Sequence, residues 1–570
     1  MKKNKKILEL LLKNHYFKCM KISTSIEKYK YKRPDIKKTL SARVRVLQKI
    51  KFDSKISTSK IYDEWVYQRD KWNLYYTLSS IYLAKNYKDE FWLNELNYIS
   101  DGNIEINKID IEITEAFLKR GRFGQLSKYI GKIAFNKLRS KISSLEKDVL
   151  EISEYRSIQE WIDYRNSLKF KHNGKNINIH DLSSLLYSTK RKERKDSYYL
   201  IKQAFSIEKI DNVLNRLIHI RDEISKSSSF DNYEEFIESE SFRDWDYKEA
   251  FYFKELVKEF IVPILVDLQD RKSQRLQIQN LENYDENIFF KGGNPKIKGN
   301  QGKIIRDCIE SLSEFMNDDL HKLARDMYDS NLIDATKRKY KQHGAYCWPI
   351  DGTKDSYILI NTLNDSDLPE TFFHEFGHSI HFYYSGDYFI PELRRPSREI
   401  LEIPSITLEL FSQDVFYKFY GDKSDDKKML HIIGLLTLIC KICILDDWQR
   451  IIYRTPNMSQ SERNSFWENA EREFTPWLTP NPERWKQDYT IFESPFYDLD
   501  YGIATICGLQ LWTEFRINKK NAIKKYIKLC ASGGKRDFQE TLKYAKIENP
   551  FNRKTFKNIS KELKDFLSNY

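Results

Sequence analysis

The chain has 570 residues and a formal net charge of +13, with 96 Lys and Arg residues against 83 Asp and Glu residues. This length exceeds what one ordinary core supports and predicts two packed lobes. The basic residues form separate runs among many acidic ones, which indicates a solvated surface and argues against nucleic-acid binding. The 7 cysteines are odd in number and scattered, which argues against a disulfide framework and indicates a reducing compartment.

The N-terminal segment Met1–Leu12 carries basic residues and a short apolar run that Glu9 interrupts. The run is too short to form the apolar core of a signal peptide, and no small-residue cleavage site follows it. Elsewhere, no uninterrupted apolar run reaches membrane-spanning length. We therefore expect a cytoplasmic protein with no membrane partner.

Helix-breaking residues are few, with 19 Gly and 14 Pro, and Leu, Ile, Lys and Glu recur at helical spacing. This composition predicts a mainly α protein with one small β-sheet. The loop 283–301 contains several Gly and Pro residues and is the best candidate for a lobe boundary. Residues 355–362 are rich in β-branched and aromatic side chains between turn formers, which predicts a short strand.

The next segment contains the pattern HExxH, as His374-Glu375-Phe376-Gly377-His378. Positions i and i+4 lie on one face of a helix, so His374 and His378 can reach the same metal ion. Glu375 lies one step around the helix, where its carboxylate can accept a proton from a water that the metal activates. The pattern predicts a zinc peptidase, whereas an ordinary helix that carries histidines is the structural alternative.

A catalytic zinc also needs a third protein ligand. The metzincin pattern is excluded, because His381 stands where that pattern has Gly and Tyr384 stands where it has the third His. The next amphipathic segment offers three carboxylates on or near one helical face. Helical position alone does not choose among these three residues, which are Glu399, Glu402 and Glu409.

His374–His381, followed by Leu401–Glu409, resembles the thimet oligopeptidase and oligoendopeptidase F family of zinc peptidases. In that family a Glu-x-Pro-Ser segment lies nearly thirty residues past the first histidine, which is the separation of Glu402 from His374 here. The resemblance therefore implies Glu402 as the third ligand of one Zn²⁺ per chain. It also implies that Glu409 orients a zinc histidine through the other ring nitrogen.

The resemblance extends from about residue 181 to about residue 512. It implies two helical lobes that enclose a deep substrate channel, with a zincin-type active-site helix at the bottom. The catalytic region would be 181–570, preceded by an N-terminal helical region over 1–180. The strand predicted within 355–362 would lie beside the metal helix, and its edge would pair with the substrate backbone.

The C-terminal part departs from the family pattern. Relatives place a histidine before a Tyr-rich segment, and alignment of Phe492–Tyr497 with that segment puts Thr490 at the histidine position. The last histidine of this chain is His431, so no other alignment restores the missing residue. We expect Tyr497 and Tyr501 to stabilise the transition state as hydrogen-bond donors. The alternative is that both tyrosines are core aromatics.

Two lesser patterns are interpreted as structural. Cys440 and Cys443 form a CxxC inside an apolar run without a second cysteine pair, so we expect them in the core. His381 falls near the metal face one turn beyond His378. We expect it beside the ligands, with competition against Glu402 for the third ligand position as the alternative.

The residues together predict a zinc-dependent endopeptidase that cleaves short unfolded oligopeptides, with Glu375 as general base. The basic surface favours acidic peptides as substrates. A slow or inactive pseudo-peptidase that binds peptides or a partner protein is the alternative, because Thr490 replaces the family histidine. Retention of Glu375 argues against that alternative, since a binder needs no general base. A zinc hydrolase of non-peptide amides is the third candidate.

Overall fold

A computed structural model of the protein describes residues 26–119, 121–140, 148–241, 243–297, 299–362 and 365–568. Met1–Leu12, considered above, lies outside the described residues. The described backbone is mainly α-helical, which confirms the predicted fold class, but it has two small sheets where one was predicted.

The helices and strands follow one another along the chain in a long, mostly helical series. The helices are α1 (Ile36–Phe52), α2 (Thr58–Lys85), α3 (Glu90–Lys119), α4 (Phe123–Ile130), α5 (Lys132–Ser140), α6 (Asp148–Ser167), α7 (Ile179–Ser184), α8 (Arg191–Phe205), α9 (Glu208–Ser227), α10 (Tyr233–Glu240), α11 (Tyr247–Phe260), α12 (Val262–Leu276), α13 (Gln301–Phe315), α14 (Asp318–Asp329), α15 (Leu368–Ser385), α16 (Pro391–Arg394), α17 (Arg398–Ser412), α18 (Tyr417–Tyr420), α19 (Ser424–Arg454), α20 (Gln460–Phe474), α21 (Tyr489–Glu493), α22 (Asp498–Ile517), α23 (Lys519–Ser532), α24 (Phe538–Ala545) and α25 (Arg553–Ser568). The strands are β1 (Lys169–His172), β2 (Lys175–Asn178), β3 (Ile333–Asp334), β4 (Gly344–Pro349) and β5 (Ser356–Asn361).

The chain divides into two compact units, each built from segments that are distant in sequence. The first unit comprises the described residues within Met1–Leu145, Gly299–Val415 and Asn518–Lys546. The second comprises those within Glu146–Lys298, Phe416–Ile517 and Ile547–Tyr570. The domain boundary predicted at residue 180 stays a prediction.

The N-terminal helices of the first unit have a core of their own. Helix α1 begins after Asp35, whose side chain accepts a hydrogen bond from the backbone N–H of Lys38 and so caps the first turn. Aromatic side chains from α2 and α3 meet in this core, where Trp65 packs 6.0 Å from Tyr62 and 6.1 Å from Phe117 between ring centroids. Burial of such large apolar surfaces stabilises the helices against each other.

The three-stranded sheet of the first unit has the order β3-β5-β4. Strand β5 is buried throughout, pairs in parallel with β3 and pairs antiparallel with β4 over its whole length. The strand predicted within 355–362 is therefore correct, but its expected role as the free edge is wrong. Among the described strands, β4 lies at the edge, with β5 on one side.

A buried lysine joins β3 to β5. The ammonium of Lys341 donates to a carboxylate oxygen of Asp334 at 2.8 Å and to the carbonyl oxygen of Ile360 at 2.9 Å. Arg338 donates to the same carboxylate at 2.6 Å and 2.7 Å. Burial raises the pKa of Asp334, but the hydrogen bonds from Arg338 and Lys341 outweigh burial and lower this pKa to about 2. The ionised carboxylate thus stabilises this corner of the sheet.

Helix α19 is the longest helix of the second unit, where it packs against α20 and α22. Cys440 and Cys443 lie on it as buried free thiols, as expected for core residues. By length and composition the segment Tyr417–Arg454 could span a membrane, but 67% of its most apolar window is buried. A buried core helix passes the same test, so this is weak evidence, and the expected absence of a membrane partner stays a prediction.

Candidate metal centre

Helix α15 carries HExxH through the interior of the first unit. It begins with Pro369 in its first turn, where a missing N–H leaves no hydrogen bond broken. His374 and His378 lie one turn apart, with ring centroids separated by 4.9 Å. The predicted helical spacing is therefore present, and both imidazoles point to the same side.

A close crossing brings α17 against this face of α15. A Cβ atom on Gly377 would lie 2.6 Å from the carbonyl oxygen of Pro404 and 2.6 Å from the Cα of Ser405. Only a residue without a side chain fits between these backbones. Pro404 lies inside α17 and lacks an N–H, which leaves one helical hydrogen bond unmade at the crossing.

This crossing places Glu402 opposite both histidines. A carboxylate oxygen of Glu402 lies 3.6 Å from Nε2 of His374 and 3.5 Å from Nε2 of His378. All three ligand atoms lie within 4.8 Å of one another. Tetrahedral zinc with bonds of about 2.0–2.1 Å would hold its ligand atoms about 3.3 Å apart, so this group fits one zinc ion.

The three carboxylates of α17 have three different surroundings. Besides its place opposite the histidines, the Glu402 carboxylate accepts a hydrogen bond from the hydroxyl of Ser405 at 3.1 Å. Glu409 is hydrogen bonded to Nδ1 of His374. Glu399 is fully buried and accepts a hydrogen bond from Ser397 at 2.8 Å. The geometry therefore separates the three alternatives that helical position left open.

The electrostatics of the group suit a cation with a base beside it. Burial, with smaller contributions from Glu402 and Glu409, raises the pKa of Glu375 to about 7 against the opposing effect of His374. Burial lowers the pKa of His378 to about 4. Burial also lowers the pKa of His374, but Glu409 outweighs this effect and brings it to about 9.

His381 is fully buried and does not belong to the group of metal-binding side chains. Burial lowers its pKa to about 3, so the imidazole is neutral. Its ring packs against Phe382, with centroids 5.8 Å apart. The expected place beside the ligands agrees with this position, whereas the alternative role as third ligand does not.

Strands β4 and β5 pack directly on α15. The hydroxyl of Ser379 on α15 lies 3.2 Å from the thiol of Cys347 on β4 and accepts a hydrogen bond from Ser356 on β5 at 2.9 Å. The opposite face of β4 carries Tyr346 and Trp348, whose rings stack with centroids 5.2 Å apart. The sheet thus lies beside the metal helix as predicted, with β4 at its edge.

Tyr497 and Tyr501 belong to the second unit and are both partly buried. Tyr497 immediately precedes α22, and Tyr501 lies in the first turn of that helix. Thr490 lies in α21, the short helix that precedes this turn. The roles of the two tyrosines in a reaction stay predictions.

Two residues that contribute to the site were given no role in the sequence analysis. Gly377 sets the distance between α15 and α17, and Ser405 binds the carboxylate of Glu402. Both stand inside the motifs that were recognised, HExxH and Glu-x-Pro-Ser. Their position within these motifs was the only indication in the sequence that they contribute to the site. Their contacts depend on how the two helices cross.

Comparisons with known proteins cover both ends of the chain. A family model described as "Peptidase family M3" matches residues 310–560, and one described as "Peptidase M3 N-terminal domain" matches residues 26–167. An "Oligoendopeptidase F homolog" of Borreliella burgdorferi is 25% identical over 310 residues, which cover 51% of this chain and 52% of that protein. The match with this curated relative therefore spans about half of each chain's length.

Solved structures resemble nearly the whole chain. PZ peptidase A, solved with an inhibitor, aligns with a TM-score of 0.87 at 25% identity and covers 95% of this chain and 98% of its own. A Bacillus anthracis protein assigned as an oligoendopeptidase F aligns with a TM-score of 0.85 at 25% identity, over 96% of this chain and 99% of that one.

Proposed function

The chain belongs to peptidase family M3, and we propose that it is a zinc-dependent endopeptidase that cleaves short unfolded oligopeptides. The observation that carries this proposal is the group of His374, His378 and Glu402, whose ligand atoms lie within 4.8 Å of one another beside a buried glutamate. Two imidazoles and a carboxylate are a donor set typical of catalytic zinc.

Zinc bound by these residues would lower the pKa of a water towards about 7 and polarise the peptide carbonyl. Glu375 would accept the proton of the attacking water at a carboxylate oxygen and deliver it to the nitrogen of the leaving amine. A buried carboxylate beside the metal-binding group is the kind of side chain that makes this exchange in metal-assisted hydrolysis. Glu409 would hold the ring of His374 in a fixed orientation.

The edge of β4 that faces away from β5 would bind the peptide. A peptide in extended conformation can add to an exposed strand through main-chain hydrogen bonds, which read no particular side chain. The stacked rings of Tyr346 and Trp348 on one face of β4 would contact side chains of the peptide. Tyr497 and Tyr501 would donate hydrogen bonds to the oxyanion.

Acidic peptides are the substrates we expect to be favoured, because the chain carries a net charge of +13. Matched acidic and neutral peptides with one cleavable bond would be compared at low and high salt. The advantage of the acidic peptide should shrink as salt rises, since salt screens surface charge. An advantage that is insensitive to salt would contradict this part of the proposal.

The alternative function is a slow or inactive pseudo-peptidase that binds peptides or a protein partner. Thr490 motivates it, because the resembling family has a histidine at that position. Loss of one oxyanion donor typically lowers the rate by about 10²- to 10³-fold, which an enzyme can survive. Glu375, buried beside the metal-binding group, favours the active enzyme.

Zinc content and turnover of a mixed peptide library would test the proposal on the full chain. We expect about one zinc per chain, cleavage of the library, and loss of cleavage in Glu375→Gln with zinc retained. Glu370→Gln is the matched control, because Glu370 is a buried carboxyl on the same helix outside the metal-binding group. Zinc without cleavage would favour the binder, and cleavage that survives Glu375→Gln would reject the mechanism.

A further inference from the structure

Thr490 lies between two carboxylates of the second unit. Its hydroxyl oxygen is 2.7 Å from an oxygen of Asp488 and 2.6 Å from an oxygen of Asp498. Both distances are those of O–H···O hydrogen bonds. One threonine hydroxyl has a single hydrogen, so it can donate to one of the two carboxyls but not to both.

Two short contacts need two hydrogens, and the hydroxyl of Thr490 supplies only one. The second must be a proton on one of the two aspartates. If both carboxyls were ionised, one of the two short contacts would join oxygen atoms without a hydrogen between them. Burial raises the pKa of Asp488, but its carboxylate also accepts the backbone N–H of Thr490 at 2.9 Å and that of Ile491, and both bonds favour its ionised form. For Asp498, Thr490 is the one hydrogen-bond partner within the described part of the chain. The proton therefore belongs on Asp498, which donates it to the oxygen of Thr490.

The surroundings of Asp498 favour the same assignment. Burial, together with the nearby carboxylates, raises the pKa of Asp498 to about 7 even where Thr490 donates to it, a hydrogen bond that by itself lowers this pKa. With Asp498 as the donor, that opposing effect is absent. The neighbouring carboxylates already have cations of their own, because Arg243 binds Asp500 at 2.8 Å and Arg450 binds Asp446 at 2.7 Å. The other charged side chains around the bridge are Lys254, which binds Asp446, and Lys441, which lies near Asp488.

Hydrogen bonds to Phe496 also hold the turn between α21 and α22. Phe496 has a φ of 62°, in the left-handed region that side chains rarely adopt. Its N–H donates to the side chain of Gln449 at 2.8 Å, and its carbonyl oxygen accepts from Arg243 at 2.6 Å. Strained backbone persists only where surrounding contacts hold it, and it concentrates at functional positions. Tyr497 is the next residue, between this strained position and Asp498.

We propose that Thr490 is a positioning residue that bridges ionised Asp488 to protonated Asp498 and thereby fixes the turn that presents Tyr497. The kinetic part of the proposal rests on the proposed peptidase function. The protonation part does not, so the two can fail separately.

Protonation would be tested by infrared spectroscopy and by thermal unfolding against pH. Asp498→Asn has nearly the shape of the protonated acid, and its amide can donate to Thr490. The wild-type minus Asp498→Asn spectrum at pH 6 should contain the C=O band of a carboxylic acid, which an ionised carboxylate lacks. A difference spectrum without this band overturns the proposal.

The pH dependence of stability has a definite sign. In the unfolded chain Asp498 ionises near its ordinary pKa of about 4, whereas the folded chain keeps the proton to higher pH. The midpoint of wild-type unfolding should therefore fall relative to Asp498→Asn as pH rises from about 4 to about 7, by roughly 2 °C or more. If the unfolding midpoints of the two proteins change with pH in parallel, the result contradicts a proton on Asp498.

Kinetics would test the positioning role. Thr490→Val keeps the shape of the side chain but removes the hydroxyl, and should lower kcat by about tenfold or more with KM within about twofold. Thr490→Ser keeps the hydroxyl and should restore kcat. Wild-type kcat in Thr490→Val, or a change in KM alone, overturns the positioning role. If wild-type protein cleaves no peptide, the proposed function fails while the spectroscopic result still decides the protonation.

Discussion

The carboxylate of Glu409 is hydrogen bonded to Nδ1 of His374, across the crossing of α15 and α17. This bond assigns the ring hydrogen to Nδ1 and leaves Nε2 directed at Glu402, 3.6 Å away. The position of the imidazole therefore depends on a residue that does not belong to the metal-binding group itself.

Replacing Glu409 by Gln should weaken zinc binding by about 10- to 100-fold, because an amide orients and polarises the imidazole less well than a carboxylate. Competition with a chelator of known affinity measures the change. Glu399→Gln is the matched control, a buried carboxyl on the same helix that binds Ser397. Equal zinc affinity in both variants would contradict the role given to Glu409.

The hydroxyl of Ser405 is fully buried and contacts two oxygens of Glu402, the backbone carbonyl at 2.8 Å and the carboxylate at 3.1 Å. We expect Ser405→Ala to weaken zinc binding by about tenfold, at the lower end of the range for such partners, because Glu402 would still face both histidines. The buried hydroxyl of Ser412, which bonds the carbonyl oxygen of Glu409, offers the matched Ser→Ala control. A larger loss of zinc affinity in Ser412→Ala than in Ser405→Ala would argue against this assignment.

The placement of the two histidines on α15 was predictable because helical periodicity is local. His374 and His378 need only a spacing of four residues, which the sequence displays directly. The three carboxylates of α17 are different, since they share a face and differ only in what lies opposite them. Only the resemblance to a family favoured Glu402 before the crossing of the helices was known.

The arrangement of the sheet also could not be predicted from local sequence patterns alone. Composition predicted the strand at β5 correctly, but not its central place between β3 and β4. Strand order depends on pairing between segments that are distant in sequence, and local patterns do not contain it. The two compact units likewise combine separate stretches of the chain. Composition indicated the division after Lys298, which lies within the loop 283–301, but it did not indicate the other divisions.

Gly377→Ala should separate α15 from α17, because the new methyl group would lie 2.6 Å from the backbone of Pro404 and Ser405. Rigid backbone atoms cannot yield as a flexible side chain could, so the helices must shift and Glu402 moves from the histidines. We expect loss of stoichiometric zinc and a destabilisation of about 1–3 kcal/mol. Gly434→Ala on α19 is the control, because in the described part of the chain no heavy atom beyond the adjacent residues and helix backbone lies within 4 Å of the added Cβ. Full zinc occupancy in Gly377→Ala would contradict the close crossing.

Asp334 should contribute stability that depends on pH. Its pKa is about 2 in the folded chain against 3.8 ordinarily, so the carboxylate stabilises the fold above pH 4 and loses this effect as pH falls towards 2. Asp334→Asn should be less stable than wild type by about 2 kcal/mol at pH 7, and the difference should fall to about half near pH 3. Urea unfolding at several pH values measures it. Asp326→Asn, which breaks a surface pair with Lys322, should change stability by less than about 1 kcal/mol.

A buried ion pair connects α2 to the segment between α15 and α17, the helices that carry the two histidines and Glu402. Arg394 donates to both carboxylate oxygens of Asp70, at 2.9 Å and 2.8 Å, and both side chains are less than a tenth exposed. Arg394 also donates to the carbonyl oxygens of Tyr388 and Phe389, both at 2.8 Å. Asp70 therefore fixes an arginine that orders the chain between α15 and α17.

Removing one partner leaves the other charge buried without compensation, so Asp70→Ala should destabilise the first unit by about 3–5 kcal/mol. Arg394→Met should also destabilise this unit, because Asp70 loses its charged partner and two carbonyl oxygens lose their hydrogen-bond donor. The double variant Asp70→Ala with Arg394→Met should be more stable than the sum of the single effects predicts, by about 2 kcal/mol or more, since no unpaired charge remains. Urea unfolding of the four proteins completes the cycle, and strictly additive effects would mean that the two residues act independently.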